Sequence, residues 1–256
     1  MSEDRKVALV TGATRGIGQA IAAELAGAGW FVVGTATSEK GAAVISEALG
    51  EQGAGVVLNV ADDDSVAEGL KALSAEYGPP LVLVNNAGIT RDNLMLRMKA
   101  GEWQDVINTH LNSLYRGTKA CLKGMTKASW GRVINIASAH GLTASPYKAA
   151  YVAAKHGVVG MTKTVALETA EEPITCNAIC PGYVLTPLVE AQIPDTMEKY
   201  NMGREEVIKK VMLERQPSRE FATVEQLGGT VCFLASDAAA QITGTTISVD
   251  GGWTAL

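Results

Sequence analysis

Apolar and polar positions alternate along the chain between two kinds of segment. Short continuous apolar runs are typical of strands buried on both faces, and longer stretches with helical spacing are typical of amphipathic helices. This alternation of strands and helices predicts an α/β fold, with a doubly wound parallel sheet and helices on both of its faces. The predicted strands are 7–10, 31–35, 55–60, 81–84, 133–137 and 175–179, and the predicted helices are 18–28, 39–49, 65–77 and 104–126.

One segment, residues 183–217, interrupts this alternation. It contains several prolines and then an amphipathic helical pattern. Long excursions of this kind are uncommon unless they are functional. We interpret it as a helical lid over a substrate site, before the last helix, with a surface elaboration as the alternative. The 256 residues contain no linker or internal repeat and predict a single domain over residues 1–256.

Composition and charge exclude several classes of protein. The net charge of −5 argues against a nucleic-acid surface, which would be basic. No apolar run is long enough to span a membrane, and no signal peptide is visible, so we expect a cytoplasmic protein without a membrane partner. The four cysteines show no C-x-x-C spacing and are expected to be reduced and mostly buried. The three histidines, His110, His140 and His156, are too scattered to predict a metal site.

A glycine-rich turn follows the first predicted strand and precedes a helix. Thr11, Gly12, Gly16 and Gly18 form T-G-x3-G-x-G. Glycines let the backbone approach a pyrophosphate, and the N-terminus of the following helix offers free N–H groups to it. The sequence Asn-Asn-Ala-Gly at 85–88 follows the fourth strand, where the cleft of such a sheet is expected. Together they predict a Rossmann-type dinucleotide site.

The end of the second strand bears on the choice of cofactor. Sites for NAD usually carry an acidic residue there to bind the ribose 2′-hydroxyl, but residues 34–38 have none before Glu39. Arg15 lies inside the glycine turn, where it can pair with a 2′-phosphate. We therefore predict that NADP(H) is preferred and that NAD(H) is possible.

Ser138, Tyr151 and Lys155 form the pattern S-x12-Y-x3-K. Tyr151 and Lys155, four residues apart, share one face of a helix. A nearby ammonium stabilises a phenolate, so we expect Lys155 to lower the pKa of Tyr151 and to bind the nicotinamide ribose. Ser138, at the end of a strand, can hold the substrate oxygen. The pattern predicts hydride transfer at a secondary carbinol carbon, with Tyr151 exchanging the proton.

These motifs, with Pro181-Gly182 and Thr186, make the whole chain resemble the short-chain dehydrogenase/reductase family. The resemblance implies that Asn59 and Val60 flank the adenine, that Asn86 and Ala87 line the cleft, and that Thr186 contacts the carboxamide. It also implies a homotetramer, with interfaces on the helices at 104–126 and 151–169 and on the C-terminal strand region. The predicted cofactor-binding residues are Gly12, Thr14, Arg15, Gly16, Ile17, Gly18, Thr37, Asn59, Val60, Asn86, Ala87, Gly88, Tyr151, Lys155, Pro181, Gly182, Val184 and Thr186.

Within the family, the two parts of the chain resemble different enzymes. Residues 1–137 are similar to bacterial 3-oxoacyl-[acyl-carrier-protein] reductases, and residues 138–256 are similar to bacterial D-3-hydroxybutyrate dehydrogenases. The change falls beside Ser138. A recombinant or engineered chimera is our hypothesis for this pattern.

The dehydrogenase resemblance implies a polar clamp for a small carboxylate, formed by His140, Lys148 and Gln192, with Trp253 closing the methyl end. Thr90 and Tyr183 depart from the residues usual in those enzymes, so we expect a lower affinity for the carboxylate. The small-molecule substrate is predicted to be 3-hydroxybutyrate or acetoacetate. A short 3-oxoacyl thioester is the alternative, although Ser129 and Glu172 stand where an acidic carrier protein would need basic residues. The predicted substrate-binding residues are Thr90, Ser138, His140, Lys148, Tyr151, Tyr183, Gln192 and Trp253.

His110 stands where the family commonly has an asparagine that helps to hold a proton-relay water. Histidine can also bind a water, so His110 completes the predicted catalytic set with Ser138, Tyr151 and Lys155, and we expect activity to be retained. Asn112 faces elsewhere and is a poor substitute. An alternative of another class is a catalytically impaired sensor that binds the cofactor.

Overall fold

A computed structural model of the chain describes residues 6–255 as a parallel sheet between two layers of helices. The strands are β1 Val7–Val10, β2 Phe31–Ala36, β3 Gly53–Val57, β4 Pro80–Asn85, β5 Gly131–Ile136, β6 Ile174–Pro181 and β7 Thr246–Val249. Their order is β3-β2-β1-β4-β5-β6-β7, and every pair is parallel. The chain changes direction between β1 and β4, so the loops after these two strands diverge and open a cleft.

The helices cover both faces of the sheet, as predicted for a doubly wound fold. On one face α1 and α9 pack through Ile21, Leu25, Leu227 and Val231, all fully buried. On the other face the core includes Leu70 and Met125, from α3 and α5. The helices are α1 Gly16–Gly27, α2 Glu39–Leu49, α3 Asp63–Tyr77, α4 Ala100–Ile107, α5 Ser113–Ala128, α6 Ala149–Glu168, α7 Pro187–Tyr200, α8 Arg204–Val207 and α9 Val224–Ala235. Within residues 6–255, none is long and apolar enough to cross a membrane.

Strand β3 differs from the prediction of 55–60, because it begins at Gly53 and ends at Val57. Its neighbour in the sheet, β2, ends at Ala36, which pairs with Val57. Leu58 and Val60, which follow the strand, are also buried. The prediction followed these apolar residues and ran too far, because the pairing between β2 and β3 ends at Val57. Strand β7 is absent from the predicted strands because it is short and only partly buried.

The helix predicted at 104–126 is interrupted. Helices α4 and α5 are joined by a π-helical turn at Asn108–Asn112, and the helical segment begins earlier, at Ala100. A π turn contains an extra residue in its hydrogen-bonded ring and is frequent at functional sites. Here it brings His110 into the interior. Apolar spacing does not reveal such a turn.

The excursion at 183–217 is helical, as expected. It contains α7 and α8, and a π turn at Ile208–Met212 follows α8. The side chain of Gln216 is fully buried and accepts a hydrogen bond from the backbone of Tyr183 (3.0 Å), while its amide donates to the carbonyl oxygen of Glu220. Gln216 thereby joins the two ends of the excursion.

Candidate active site

The glycine loop (residues 11–18) needs its glycines for two reasons. Gly12 and Gly16 have φ angles of 68° and 57°, in the left-handed region that favours glycine. A Cβ atom on Gly18 would lie 2.2 Å from the carbonyl oxygen of Gly12 and 2.4 Å from Nδ2 of Asn86. The backbone of Gly18 therefore lies close to the backbone of Gly12 and to the side chain of Asn86. A side chain at position 18 would prevent this close approach.

The first turn of α1 is suited to an anion. Arg15 precedes the helix without a capping hydrogen bond from its side chain, and the first turn has no acidic residue. The N–H groups of a first turn lack partners within the helix, so they can bind a phosphate. On the opposite side, the methyl group of Thr186 lies 3.6 Å from the Cβ position of Gly16. These residues fit the pyrophosphate of a dinucleotide.

Asn86 and Ala87 fasten the end of β4 to the glycine loop. The side-chain amide of Asn86 donates to the carbonyl oxygens of Thr11 (2.9 Å) and Gly12 (3.1 Å). In return, Oγ1 of Thr11 accepts from the backbone N–H groups of Asn86 (2.9 Å) and Ala87 (3.0 Å). Both residues lie beside the glycine loop at the predicted cleft, and the side chain of Asn86 shapes that loop.

The surface where β2 and β3 end is predicted to hold the adenosine. Thr37 and Asn59 are exposed there, and Val60 is buried. The side chain of Asn59 accepts from the backbone of Ala61 (3.1 Å), which leaves its amide N–H groups available. Arg15 is exposed and has no carboxylate partner within residues 6–255. The predicted residues Thr14 and Ile17 are half-buried in the glycine loop.

The predicted cofactor residues 181–186 connect β6 with α7. The backbone N–H of Gly182 donates to Val249 of β7 (3.0 Å), and buried Val184 forms a parallel bridge with Ala222. Thr186 caps α7 through a hydrogen bond from the backbone of Val189 (3.3 Å). Thr186 is thus held at the mouth of the cleft, opposite the glycine loop.

Ser138 follows β5 and begins a short 3-10 turn. Its hydroxyl oxygen accepts from the backbone N–H of His140 (3.1 Å), and the residue is 8% exposed. A hydrogen bond also joins Ser138 to Tyr151. The serine hydroxyl therefore lies beside the phenol of Tyr151, and its role in holding the substrate oxygen stays a prediction.

Tyr151 and Lys155 lie on the same side of α6, with the lysine Nζ 5.6 Å from the centre of the tyrosine ring. The ammonium of Lys155 donates to the carbonyl oxygen of Ile136 (2.7 Å). Burial lowers the pKa of Lys155 to about 8. Burial raises the pKa of Tyr151, and the hydrogen bond with Ser138 opposes this rise. Burial therefore sets the direction in which the pKa of Tyr151 shifts, while the ammonium of Lys155 is bound to a carbonyl. The lowering of this pKa by Lys155 stays a prediction.

His110 lies beside this group, in the π turn. Its ring meets that of Tyr151 edge to face, and its Nε2 is 2.6 Å from the carbonyl oxygen of Ile89. Its Nδ1 atom is fully buried and has no hydrogen-bond partner within residues 6–255. Burial, and then the charge of Lys155, lower the pKa of His110 to about 3, so the imidazole is neutral. Nε2 also lies 3.0 Å from the backbone N–H of Ile89, which donates to it. In either neutral tautomer Nδ1 is left for a water, as an acceptor when Nε2 carries the hydrogen and as a donor when Nδ1 carries it. The role of His110 in holding that water stays a prediction.

The predicted substrate residues are brought together in part. The ring of His140 contacts Tyr151 and Trp253 edge-on, with centroids 5.9 Å and 5.1 Å apart, and Tyr183 stacks on Trp253 at 5.7 Å. Nε2 of His140 lies 2.8 Å from Oγ of Ser145. Burial lowers the pKa of His140 to about 4, helped by the charges of Lys148 and Arg215.

Lys148 lies beside Tyr151, with its Nζ 5.6 Å from the centre of the tyrosine ring, and forms an ion pair with Asp92 at 2.5 Å. The remaining predicted substrate residues are placed less favourably. Thr90 and Gln192 are exposed, and within residues 6–255 no hydrogen bond joins their side chains to His140 or Tyr151. The backbone of Tyr147, with a φ of 67°, accepts from Asn93 (2.9 Å) and fixes Lys148 next to the loop that carries Asp92.

Three residues near this group were not predicted. Asp92 pairs with Lys148, Ser145 contacts His140, and Arg215 donates to the carbonyl oxygen of Ala144 (2.9 Å) and to Ser145 (3.1 Å). No local motif indicates them, because their partners come from distant parts of the chain. Within residues 6–255, no group of three histidine, cysteine or carboxylate side chains could hold a metal ion.

Comparison with known proteins agrees with this geometry. A family model described as enoyl-(acyl-carrier-protein) reductase matches residues 12–254. A 3-oxoacyl-[acyl-carrier-protein] reductase of Pseudomonas aeruginosa is 49% identical over 98% of both chains. A D-beta-hydroxybutyrate dehydrogenase of Rhizobium meliloti is 47% identical over 98% of this chain and 99% of its own length. The reductase of Escherichia coli is 44% identical over 98% of both chains. The chain therefore belongs to the short-chain dehydrogenase/reductase family and is an oxidoreductase.

Proposed function

We propose that the protein interconverts a short 3-oxo acid and its 3-hydroxy acid, with acetoacetate and 3-hydroxybutyrate as the preferred pair. The observation that carries this proposal is the position of His140, whose ring contacts both Tyr151 and Trp253. The proposed proton donor, Tyr151, thus lies close to the aromatic rings of Trp253 and Tyr183. A site of this size suits a small substrate. The hydroxybutyrate dehydrogenase among the relatives supports the same substrate class.

The proposed cofactor is a nicotinamide dinucleotide held by the glycine loop, the first turn of α1 and Thr186. It supplies the hydride in the reduction and accepts it in the oxidation. We propose NADP(H) as the preferred form, because Arg15 is exposed without a carboxylate partner within residues 6–255 and no acidic residue precedes Glu39 at the end of β2.

The side chains of the site donate the proton to the substrate and relay its replacement. In the reduction, the carbonyl carbon gains a hydride, and its oxygen gains the hydroxyl proton of Tyr151 while Ser138 donates a hydrogen bond to the same oxygen. Burial raises the pKa of Tyr151, so its hydroxyl keeps the proton near neutral pH and is ready to donate it. Afterwards a water on Nδ1 of His110 connects the site to the proton supply, because this nitrogen is buried and otherwise without a partner.

The helical excursion at 183–217 is proposed as the lid. Its beginning carries Tyr183, which stacks on Trp253, and its end carries Arg215, which contacts Ser145. Both ends thus reach the substrate side of the site. Gln216 fastens them to each other, which favours movement of the excursion as one unit.

The second candidate is an NADPH-dependent reductase of short 3-oxoacyl thioesters. It is favoured by the 49% identity to a 3-oxoacyl-[acyl-carrier-protein] reductase and by the ion pair of Lys148 with Asp92, which competes with a free carboxylate for the lysine. Against a carrier protein stand Ser129, Glu171 and Glu172, which are exposed and present no positive charge to an acidic partner.

Steady-state kinetics of the purified protein test the proposal. NADH and NADPH are each paired with acetoacetate and with acetoacetyl-CoA. A higher kcat/KM for acetoacetate supports the free acid as the substrate. Turnover of the thioester alone contradicts it and assigns the second candidate. If neither compound is reduced, both candidates are wrong.

A further inference from the structure

The π turn between α4 and α5 carries a residue of the candidate active site. The carbonyl oxygen of Asn108 accepts from the backbone N–H of Ser113, which closes the wide ring of the turn. Such a turn interrupts the regular ladder of hydrogen bonds between two α-helices, so bonds from outside the ladder help to fix its side chains. One of these side chains is that of His110, whose ring meets Tyr151 edge to face.

The π turn is bound to the loop that follows β3, residues 58–62, which we call the adenosine loop. Nδ2 of Asn108 donates to the carbonyl oxygen of Ala61 at 2.7 Å. Oδ1 of Asn108 accepts from Nδ2 of Asn112, at the other end of the turn (3.3 Å). Both ends of the Asn108 amide therefore have partners, and its N–H group faces the adenosine loop.

Arg116, on α5, makes a second connection between the same segments. Its guanidinium pairs with Asp63 in the first turn of α3, with Nε 2.5 Å from Oδ1 and Nη2 3.3 Å from Oδ2. Its Nη1 lies 3.4 Å from the carbonyl oxygen of Val60 and 3.5 Å from that of Asn108. Because Asp63 is largely exposed, the ion pair itself adds little free energy. Its effect is to orient a guanidinium that is only 12% exposed between the loop and the turn.

The adenosine loop lies at the carboxyl end of β3, the edge at which nucleotides bind in sheets of this kind. Asn59 is exposed there and Val60 is buried. The side chain of Asn59 accepts from the backbone of Ala61 (3.1 Å), so the loop has a defined shape. The same short loop therefore contains the predicted adenine contacts and the acceptor of Asn108.

We propose that Asn108 is a positioning residue that couples the adenosine part of the cofactor to His110, and that Arg116 supports it. A nucleotide that orders the adenosine loop fixes the acceptor of Asn108, and through it the π turn. Coupling between two sites is reciprocal, so loss of this bond should weaken adenosine binding and disturb His110 together. The inference rests on the proposed function, because it assumes a dinucleotide cofactor. It gives the adenosine half a part in placing a residue beside Tyr151.

The test uses two nucleotides without nicotinamide, adenosine 2′,5′-bisphosphate and ADP. The imidazole signals of His110 are followed by NMR in the full chain and are assigned by their absence from His110→Asn. In the wild type, saturation with at least one nucleotide should shift these signals.

Asn108→Leu keeps the size of the side chain and removes its amide. The dissociation constant of the nucleotide should rise about fivefold, the effect of one hydrogen bond, and the His110 signals should no longer respond at saturation. Arg116→Met should reduce the shift without removing it. Lys123→Met, at an exposed cation on α5, is the matched control and should resemble the wild type.

Steady-state kinetics provide a second readout. In Asn108→Leu the KM for the preferred cofactor should rise and kcat should fall, each about fivefold. The KM for the oxo substrate should stay that of the wild type, because Asn108 acts on the cofactor and on His110. An equal change in all three values would indicate a general loss of structure and contradict the assigned role.

Two NMR results overturn the inference. One is a His110 signal in the wild type that neither nucleotide shifts, and the other is a shift in Asn108→Leu equal to that of the wild type at saturation. If Asn108→Leu does not fold, Arg116→Met decides, and an undiminished shift in that variant contradicts the inference. A shift that is lost or reduced in the variants supports the coupling even if the wild type reduces neither acetoacetate nor acetoacetyl-CoA. In that case the proposed function alone fails.

Discussion

The rings of His110 and Tyr151 meet edge to face, with centroids 5.2 Å apart and planes at 87°. The same histidine is bound to the backbone of Ile89, and its ring lies against Gly88, where an added Cβ would be 2.4 Å from Cε1. The contact therefore joins three parts of the site: the end of β4, the π turn and α6. It also places the unpartnered Nδ1 of His110 in the interior, next to the reacting group.

The first prediction concerns the role of His110. His110→Asn should preserve or raise turnover, because an amide can hold a water as an imidazole nitrogen does. His110→Leu keeps the bulk without a polar atom and should lose about tenfold in kcat, the effect of one hydrogen bond of roughly 1.4 kcal/mol. The measurement is kcat with saturating acetoacetate and cofactor. A large loss in His110→Asn would show that the imidazole has an essential role of its own.

A second prediction concerns stability in acid. The pKa of His110 falls from 6.5 to about 3 in the folded chain. Since the unfolded chain binds the proton more readily, the stabilising effect of neutral His110 is complete above pH 6.5 and is lost as the pH falls towards 3. Within this window the free energy of unfolding should decrease by about 1.4 kcal/mol per pH unit from this residue alone.

Urea unfolding at pH 7, 6 and 5 measures this dependence. His110→Asn should show a shallower decrease than the wild type. His156→Asn is the matched control, since His156 is exposed on α6. Equal slopes for the wild type and His110→Asn would disagree with the neutral, buried state of His110.

A third prediction concerns the choice of cofactor. Arg15→Ser should lower kcat/KM with NADPH by about tenfold, because a charge-assisted hydrogen bond to the 2′-phosphate of roughly 1.5 kcal/mol is lost. The value with NADH should stay unchanged. Lys71→Ser, at an exposed cation on α3, controls for a general effect of charge. A wild type that prefers NADH would refute the assignment of Arg15.

A fourth prediction concerns assembly. We expect a homotetramer, with a mass in solution four times that of the chain of 26.8 kDa. Large apolar side chains are exposed on the predicted interface helices, including Tyr115 on α5 and Leu167 on α6, and β7 lies at one edge of the sheet. Sedimentation equilibrium measures the mass directly. A monomeric mass at micromolar concentration would contradict this prediction.

The parts predicted correctly from the sequence depend on local geometry. The glycine loop follows a strand and opens a helix, and four-residue spacing places Tyr151 and Lys155 on one face of α6. Both are properties of a short segment, so the motif contains the information. The single α/β domain with helices on both faces follows from the alternation of segments for the same reason.

The parts that the sequence did not reveal depend on distant contacts. Asp92 pairs with Lys148 from 56 residues away, and Arg215 reaches Ser145 across 70 residues. The pKa of Tyr151 is raised by desolvation, which depends on the whole fold and not on the spacing of the motif. The similar identities of the two classes of relative, 49% and 47% over nearly the entire chain, leave the division of the chain at Ser138 as a prediction.

The substitution Tyr151→Phe tests the central claim most directly, because it removes one hydroxyl from the proposed proton donor. We predict that kcat for the reduction of the preferred substrate falls by about 100-fold or more, the usual contribution of a positioned acid. The dissociation constant for NADPH, measured by fluorescence titration, should remain that of the wild type. Retained turnover with Tyr151→Phe would contradict the account and show that another group supplies the proton.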